Sequence, residues 1–203
     1  MSDVEELGPA QIGNLMVSVV PIVVWALALI CAAIAIWRGP RPISWDLIAD
    51  KLLRYLFFFP LGVQGLWAFF GHVFLPEESA AAIGWAPSPF QLEVGVANLG
   101  LALGSFYAAF STFRARAPMA VMAACFLVGA GIVHINEMIG DANFAPGNAG
   151  PIMITDFLTP IVILVLLLLT PNGKQAAGGP LMSEQLARAR EELQKSLHGV
   201  EGK

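Results

Sequence analysis

Five long apolar runs divide the chain, at residues 13–37, 55–75, 90–113, 117–139 and 151–170. Each holds 20 to 25 residues, and about 20 helical residues suffice to cross a hydrocarbon core of roughly 30 Å. The pattern predicts an all-α membrane protein with five transmembrane helices. The polar residues within and beside these runs are not scattered. Almost all of them fall at the same end of the bundle that the runs would form.

Composition agrees with the pattern: of 203 residues 57% are hydrophobic and only 13% charged, with a mean hydropathy of +0.70. Charge then orients the spans. Residues 38–54 carry Arg38, Arg41, Lys51 and Arg54, the link before the fourth run carries Arg114 and Arg116, and five further basic residues follow residue 170. The opposite side holds Asp3, Glu5, Glu6, Glu77, Glu78 and Asp141, with no Lys or Arg. Positive charge is retained on the cytoplasmic side, so the N-terminus is expected outside and the C-terminus inside, across a bacterial cytoplasmic (inner) membrane. Residues 1–12 read as an outer segment rather than a cleaved leader, because they are acidic where a leader is basic. The five-helix domain covers 13–170, a Gly/Ala-rich linker 171–180, and a charged helical tail 181–203. Cys31 and Cys125 sit mid-helix and read as packing residues.

Several local features are legible. Pro40 and Pro42 end the first helix, and 43–54 reads as a short interfacial helix with Trp45 at headgroup depth. Pro21 and Pro60 are expected to kink the first and second helices. Residues 82–89 form a turn, after which Ser88 would cap the third helix and Gln91 would complete a capping box. Residues 140–150, with Asn143, Asn148, three glycines and Pro146, are long enough to fold over the helix ends as a lid.

The polar cluster comprises His72 at the end of the second helix, Gln91, Glu93 and Asn98 near the start of the third, His134, Asn136 and Glu137 at the end of the fourth, and Asp156 near the start of the fifth. At ~1.5 Å of rise per residue these lie within about 10 Å of one membrane boundary. On the third helix Glu93, Ala97, Gly100 and Gly104 share a stripe, which would turn Glu93 into the bundle. Three readings stand. In one, the groups satisfy one another and the protein is a non-catalytic accessory or assembly subunit. In another, His134 and Glu137, spaced i, i+3, join Glu93 and His72 as ligands for zinc, iron or manganese, or the two histidines hold a haem. In the third, Gln91, Glu93, Asn98, Asn143, Asn148 and Asp156 form an outward-facing pocket for a small molecule or proton.

No Gly-rich phosphate loop, Cys-x-x-Cys or His-Glu-x-x-His motif occurs, and no deep lysine is available for a Schiff base. The basic residues follow membrane topology and the net charge is −4, which argues against a nucleic-acid partner. The expected partners are the lipid bilayer and either a second copy or a membrane-complex subunit. The motif Ser88-Pro89-Phe90-Gln91-Leu92-Glu93-Val94-Gly95, followed by Ala97-Asn98-Leu99 and later by Asn143-Phe144-Ala145-Pro146-Gly147-Asn148-Ala149-Gly150, resembles the signature of a small prokaryotic multi-spanning membrane family, a domain of unknown function. That resemblance implies that Gln91, Glu93, Asn98, Asn143, Asn148 and Asp156 belong to one unit. A looser likeness to DoxX-type proteins in topology implies a redox or quinone-linked role.

Overall fold

The computed structural model describes residues 8–170 and 190–191. The chain divides into two units, Met1–Asn172 and Gly173–Lys203. The linker and tail read from the sequence lie outside the described residues, apart from Arg190 and Glu191, which are helical. Residues 1–7 of the expected outer segment lie outside them too.

The described part of the first unit is helical, with no strand among the described residues. Its order is α1 (Pro9–Trp37), α2 (Trp45–Leu56), a π-helical segment (Phe57–Val63), α3 (Gln64–Phe74), α4 (Pro76–Ile83), α5 (Phe90–Ala109), α6 (Phe113–Gly140), α7 (Pro146–Ala149) and α8 (Pro151–Leu169). Five stretches are long and apolar enough to cross a membrane: Gln11–Trp37, Trp45–Phe74, Phe90–Ala109, Ala115–Gly140 and Pro146–Leu169. This is the five-helix membrane architecture that the apolar runs predict.

The second span begins ten residues earlier than its apolar run. Its first turns are α2, not a separate interfacial helix. Ser44 caps it by accepting a hydrogen bond from the Leu47 amide (3.2 Å), with Asp46 in the first turn and Arg54 in the last. Asp50, Lys51 and Arg54 made this stretch look too charged to belong to a span. They are ion-paired within it, Asp50 Oδ2 lying 3.1 Å from Lys51 Nζ. Trp45, partly exposed, donates its indole N–H to the Leu169 carbonyl at 3.0 Å, at the end of the last span. Pro60, which lacks an N–H to donate, falls inside the π-helical segment, whereas α1 continues through Pro21 as regular helix.

Helices α3 and α5 run antiparallel in close contact, and glycines set the approach. A Cβ on Gly65 would meet the Asn98 carbonyl at 3.3 Å, and one on Gly95 would overlap Val73. On the other side of the bundle α6 lies against α8, where Gly131 faces the Phe157 ring. Trp25 ties α1 to α8 by donating to Thr159 Oγ1 at 3.1 Å. The apolar core lies towards the end that carries Arg38, Arg54 and Arg116, hereafter the basic end. It is built on Leu53, Leu56, Phe57, Leu101, Ile163 and their neighbours.

At the opposite, acidic end two short helices close the links. Gly84 terminates α4 in the left-handed region (φ 85°), where a side chain would be strained and would strike Asn143. The expected Ser88 cap does not form. Pro89 occupies the cap position of α5 without a side-chain bond, and Gln91 turns to another partner.

Candidate functional site at the acidic end

Two long helices, α6 and α8, and the short α7 between them supply one buried polar array. Asn148, on α7, is completely buried, and His134 and Asp156 nearly so. Asn148 donates its amide hydrogens to the carbonyls of His134 (3.2 Å) and Asn143 (2.8 Å). That fixes the orientation of its amide, so Asn148 Oδ1 must accept from His134, whose Nδ1 lies 2.7 Å away. His134 therefore carries a hydrogen on Nδ1, and its other nitrogen, Nε2, faces Asp156 Oδ2 at 3.6 Å. That distance suits an ion pair but exceeds a direct hydrogen bond. With Nδ1–H donated to Asn148, Nε2 is the ring atom turned towards the buried Asp156 carboxyl.

A second group lies beside the first. Asn143 donates to the Ile83 carbonyl (3.0 Å) and to Glu137 Oε2 (3.3 Å), and its Oδ1 accepts from the Ala145 amide (3.1 Å). Asn143 thus ties the 141–150 link both to the end of α4 and to α6. Gly147 allows α7 to sit directly on α4, since a Cβ there would come within 2.7 Å of the Ala82 carbonyl oxygen. The lid read from the sequence is a bonded cap. Next to it opens a cleft of about 630 Å³ lined by Gly84, Trp85, Ala86, Ser88, Glu137, Asp141 and Asn143. Asn143 and Glu137 therefore face the cleft while Asn143 also supports the cap over His134 and Asp156.

The remaining expected residues do not join this array. Gln91 is buried and pairs through Oε1 with His72 Nδ1, linking α5 to α3. Asn98 is buried and donates to the Val94 carbonyl one turn back on its own helix, at 2.9 Å. Glu93 is exposed. Of the expected stripe, Gly100 faces outward, with nothing within 4 Å of a Cβ there, and Gly104 packs against Met119; α5 buries Gln91, Gly95, Asn98, Ala102 and Ser105. The metal set His134, Glu137, Glu93 and His72 is accordingly dispersed. Each histidine is engaged with an amide, Glu137 with Asn143, and Glu93 lies on the outer face of α5. Among the described residues no three His, Cys, Asp or Glu side chains converge as a metal site. The two histidines belong to separate hydrogen-bonded pairs, His72 with Gln91 and His134 with Asn148.

A family model with the description "Family of unknown function (DUF6790)" matches residues 18–176. The chain belongs to that family. The match takes in the first span from residue 18, the other four spans whole, and every residue of the polar array. No curated protein and no solved structure matches the chain.

At the basic end lies a buried group that the sequence reading took only for topology. Arg116, almost wholly buried, donates Nε to the Ala108 carbonyl and Nη2 to the Ala109 carbonyl, both at 3.1 Å, and Nη1 to Asp50 Oδ1 at 2.9 Å. It closes the last turn of α5 and joins it to α2. A positive charge at a helix C-terminus is favoured by the helix dipole. The sequence signal was its position at the start of a span opposite an Asp in another.

Proposed function

We propose that this chain is an integral inner-membrane protein whose outward-facing acidic end forms a polar pocket. In this reading the cleft admits a small molecule and the Asn148–His134–Asp156 array beneath the cap holds an exchangeable proton. The observation that carries it is the fixed orientation of Asn148, which turns His134 Nε2 towards the buried Asp156 Oδ2 at 3.6 Å. Ionisable groups placed so in a membrane protein are expensive and mark proton or substrate paths more often than they serve packing. Glu137 and Asn143 would make first contact with the ligand, since both line the cleft. Of the pocket residues expected from the sequence, Asn143, Asn148 and Asp156 carry the reading. Gln91, Asn98 and Glu93 are assigned outside it.

A dicyclohexylcarbodiimide assay tests the proton. This reagent modifies protonated carboxyl groups in apolar surroundings, so peptide mapping of treated native membranes is expected to find Asp156 modified. Asp50, bound to three cations, serves as the unreactive reference. An Asp156 that stays unmodified at every pH at which the protein remains folded would remove the proton from the reading. Orientation is tested separately with Ser88→Cys in a background lacking Cys31 and Cys125. A membrane-impermeant maleimide should label it in intact cells, and labelling only after permeabilisation would reverse the topology.

The accessory-subunit reading is supported by a different observation. The His72–Gln91 pair and the Asn98–Val94 bond are complete in themselves and ask for no ligand. It gains if Asp156→Asn changes thermal stability alone.

A further inference from the structure

The basic end holds more positive charge than its own carboxylates neutralise. Segments 38–54 and 111–116 contain six basic residues against Asp46 and Asp50. Arg116 is fully spent on Asp50 and the α5 carbonyls. Lys51 and Arg54 are not. Both rely on the single atom Asp50 Oδ2, at 3.1 and 3.7 Å, and both remain partly exposed, at 21% and 33% of their side chains. Arg54 Nε is shielded from solvent yet has no hydrogen-bond acceptor. Its guanidinium lies 5.7 Å from the centre of the Phe110 ring, which orients the fork without neutralising it. Phe110 is 67% exposed, and Tyr107, one turn earlier on α5, is 70% exposed.

A half-buried, undercompensated Lys/Arg pair beside exposed aromatic rings at the edge of a span has the chemistry of a phosphodiester with acyl chains attached. We propose that Lys51 and Arg54 form a headgroup site for an anionic phospholipid of the adjoining leaflet, the phosphate oxygens accepting from Lys51 Nζ and the Arg54 fork, and the acyl chain lying along Tyr107 and Phe110. Recognition of this kind is electrostatic at the headgroup and weakens with salt. Asp50 holds the two cations in place from behind, and Arg116 anchors Asp50. The site does not depend on the pocket at the acidic end.

Native mass spectrometry of the full-length protein released from vesicles of phosphatidylcholine doped with phosphatidylglycerol would read the site directly. Phosphatidylglycerol should remain bound in preference to phosphatidylcholine and be lost as salt is raised. Lys51→Gln with Arg54→Gln should weaken its retention roughly ten- to thirtyfold, at about one kcal/mol per basic residue. Arg38→Gln with Arg41→Gln, the same loss of charge at the same end, should leave retention within about twofold. Equal loss in both double variants, or equal retention in the first and the parent, overturns the assignment. A parent protein that holds both lipids alike at all salt concentrations also overturns it, whatever the folding of the variants. If inorganic phosphate stabilises the detergent-purified protein as well as phosphatidylglycerol does, the ligand is a free anion and the lipid assignment fails.

Discussion

Replacing Arg116 by Ala should unlatch the basic end of the bundle. The substitution breaks three charge-assisted hydrogen bonds at once, to Ala108 O, Ala109 O and Asp50 Oδ1. The two carbonyls belong to the last turn of α5 and would be left without a donor in a buried site. Removing one partner of a buried ionic network costs about 3–5 kcal/mol. Asp50 would keep Lys51 and Arg54 on its other oxygen, which places the expected loss at the lower end, about 3 kcal/mol. Reversible unfolding in mixed micelles, as SDS is titrated and tryptophan fluorescence followed, measures this directly. Arg116→Lys separates latch from topology: it keeps the positive charge on that side of the membrane but cannot reach three acceptors, and should recover less than half of the loss. A cycle with Asp50→Asn should show coupling of about 1–3 kcal/mol. An Arg116→Ala protein within about 0.5 kcal/mol of the parent, the range of ordinary surface substitutions, would refute the reasoning.

Two further outcomes are expected at the acidic end. Asn148→Ala removes the side chain that, among the described residues, bonds the cap to His134, and should raise hydrogen exchange across residues 142–150 while leaving exchange in α2 unchanged. The missing amide strips partners from two carbonyls and one imidazole N–H, so the protein should lose about 2–3 kcal/mol. Gly147→Ala should lift the cap, because the added Cβ meets backbone at Ala82 that cannot turn aside. Gly100→Ala, in open space on α5, should be neutral, and a similar effect of the two in a thermal-shift assay would contradict the packing.

The five spans were readable because hydropathy over a span-length window is a one-dimensional property, and so was the gathering of polar residues at one end. Which residues meet across helices is not one-dimensional. His134 and Glu137 share a face by spacing, yet they diverge: His134 goes to Asn148 and Asp156, and Glu137 to Asn143. The small-residue stripe misplaced Glu93 because it was taken as the contact face of α5, whereas Gly95 and Gly65 make the close approach. The start of the second span was missed because isolated charges weigh against insertion and paired ones much less. Nothing local to residues 45–56 reveals that the partner of Asp50 is Arg116, on the fourth span.

The π-helical segment at Phe57–Val63 acts on the second span as a phase shifter. A wider turn holds about one residue more than an α-turn, so over seven residues the side-chain directions fall behind an α-helix by roughly a third of a turn. Because of that lag, Asp50 can point to Arg116 in the first half of the span while Gly65 and His72 point to α5 in the second. The two ends of the bundle, one latched by an arginine and the other by an imidazole–amide pair, are thereby geared together through a single helix. A residue removed near Pro60 would leave the span long enough to cross the membrane, yet its effect would be felt at His72, near the far end.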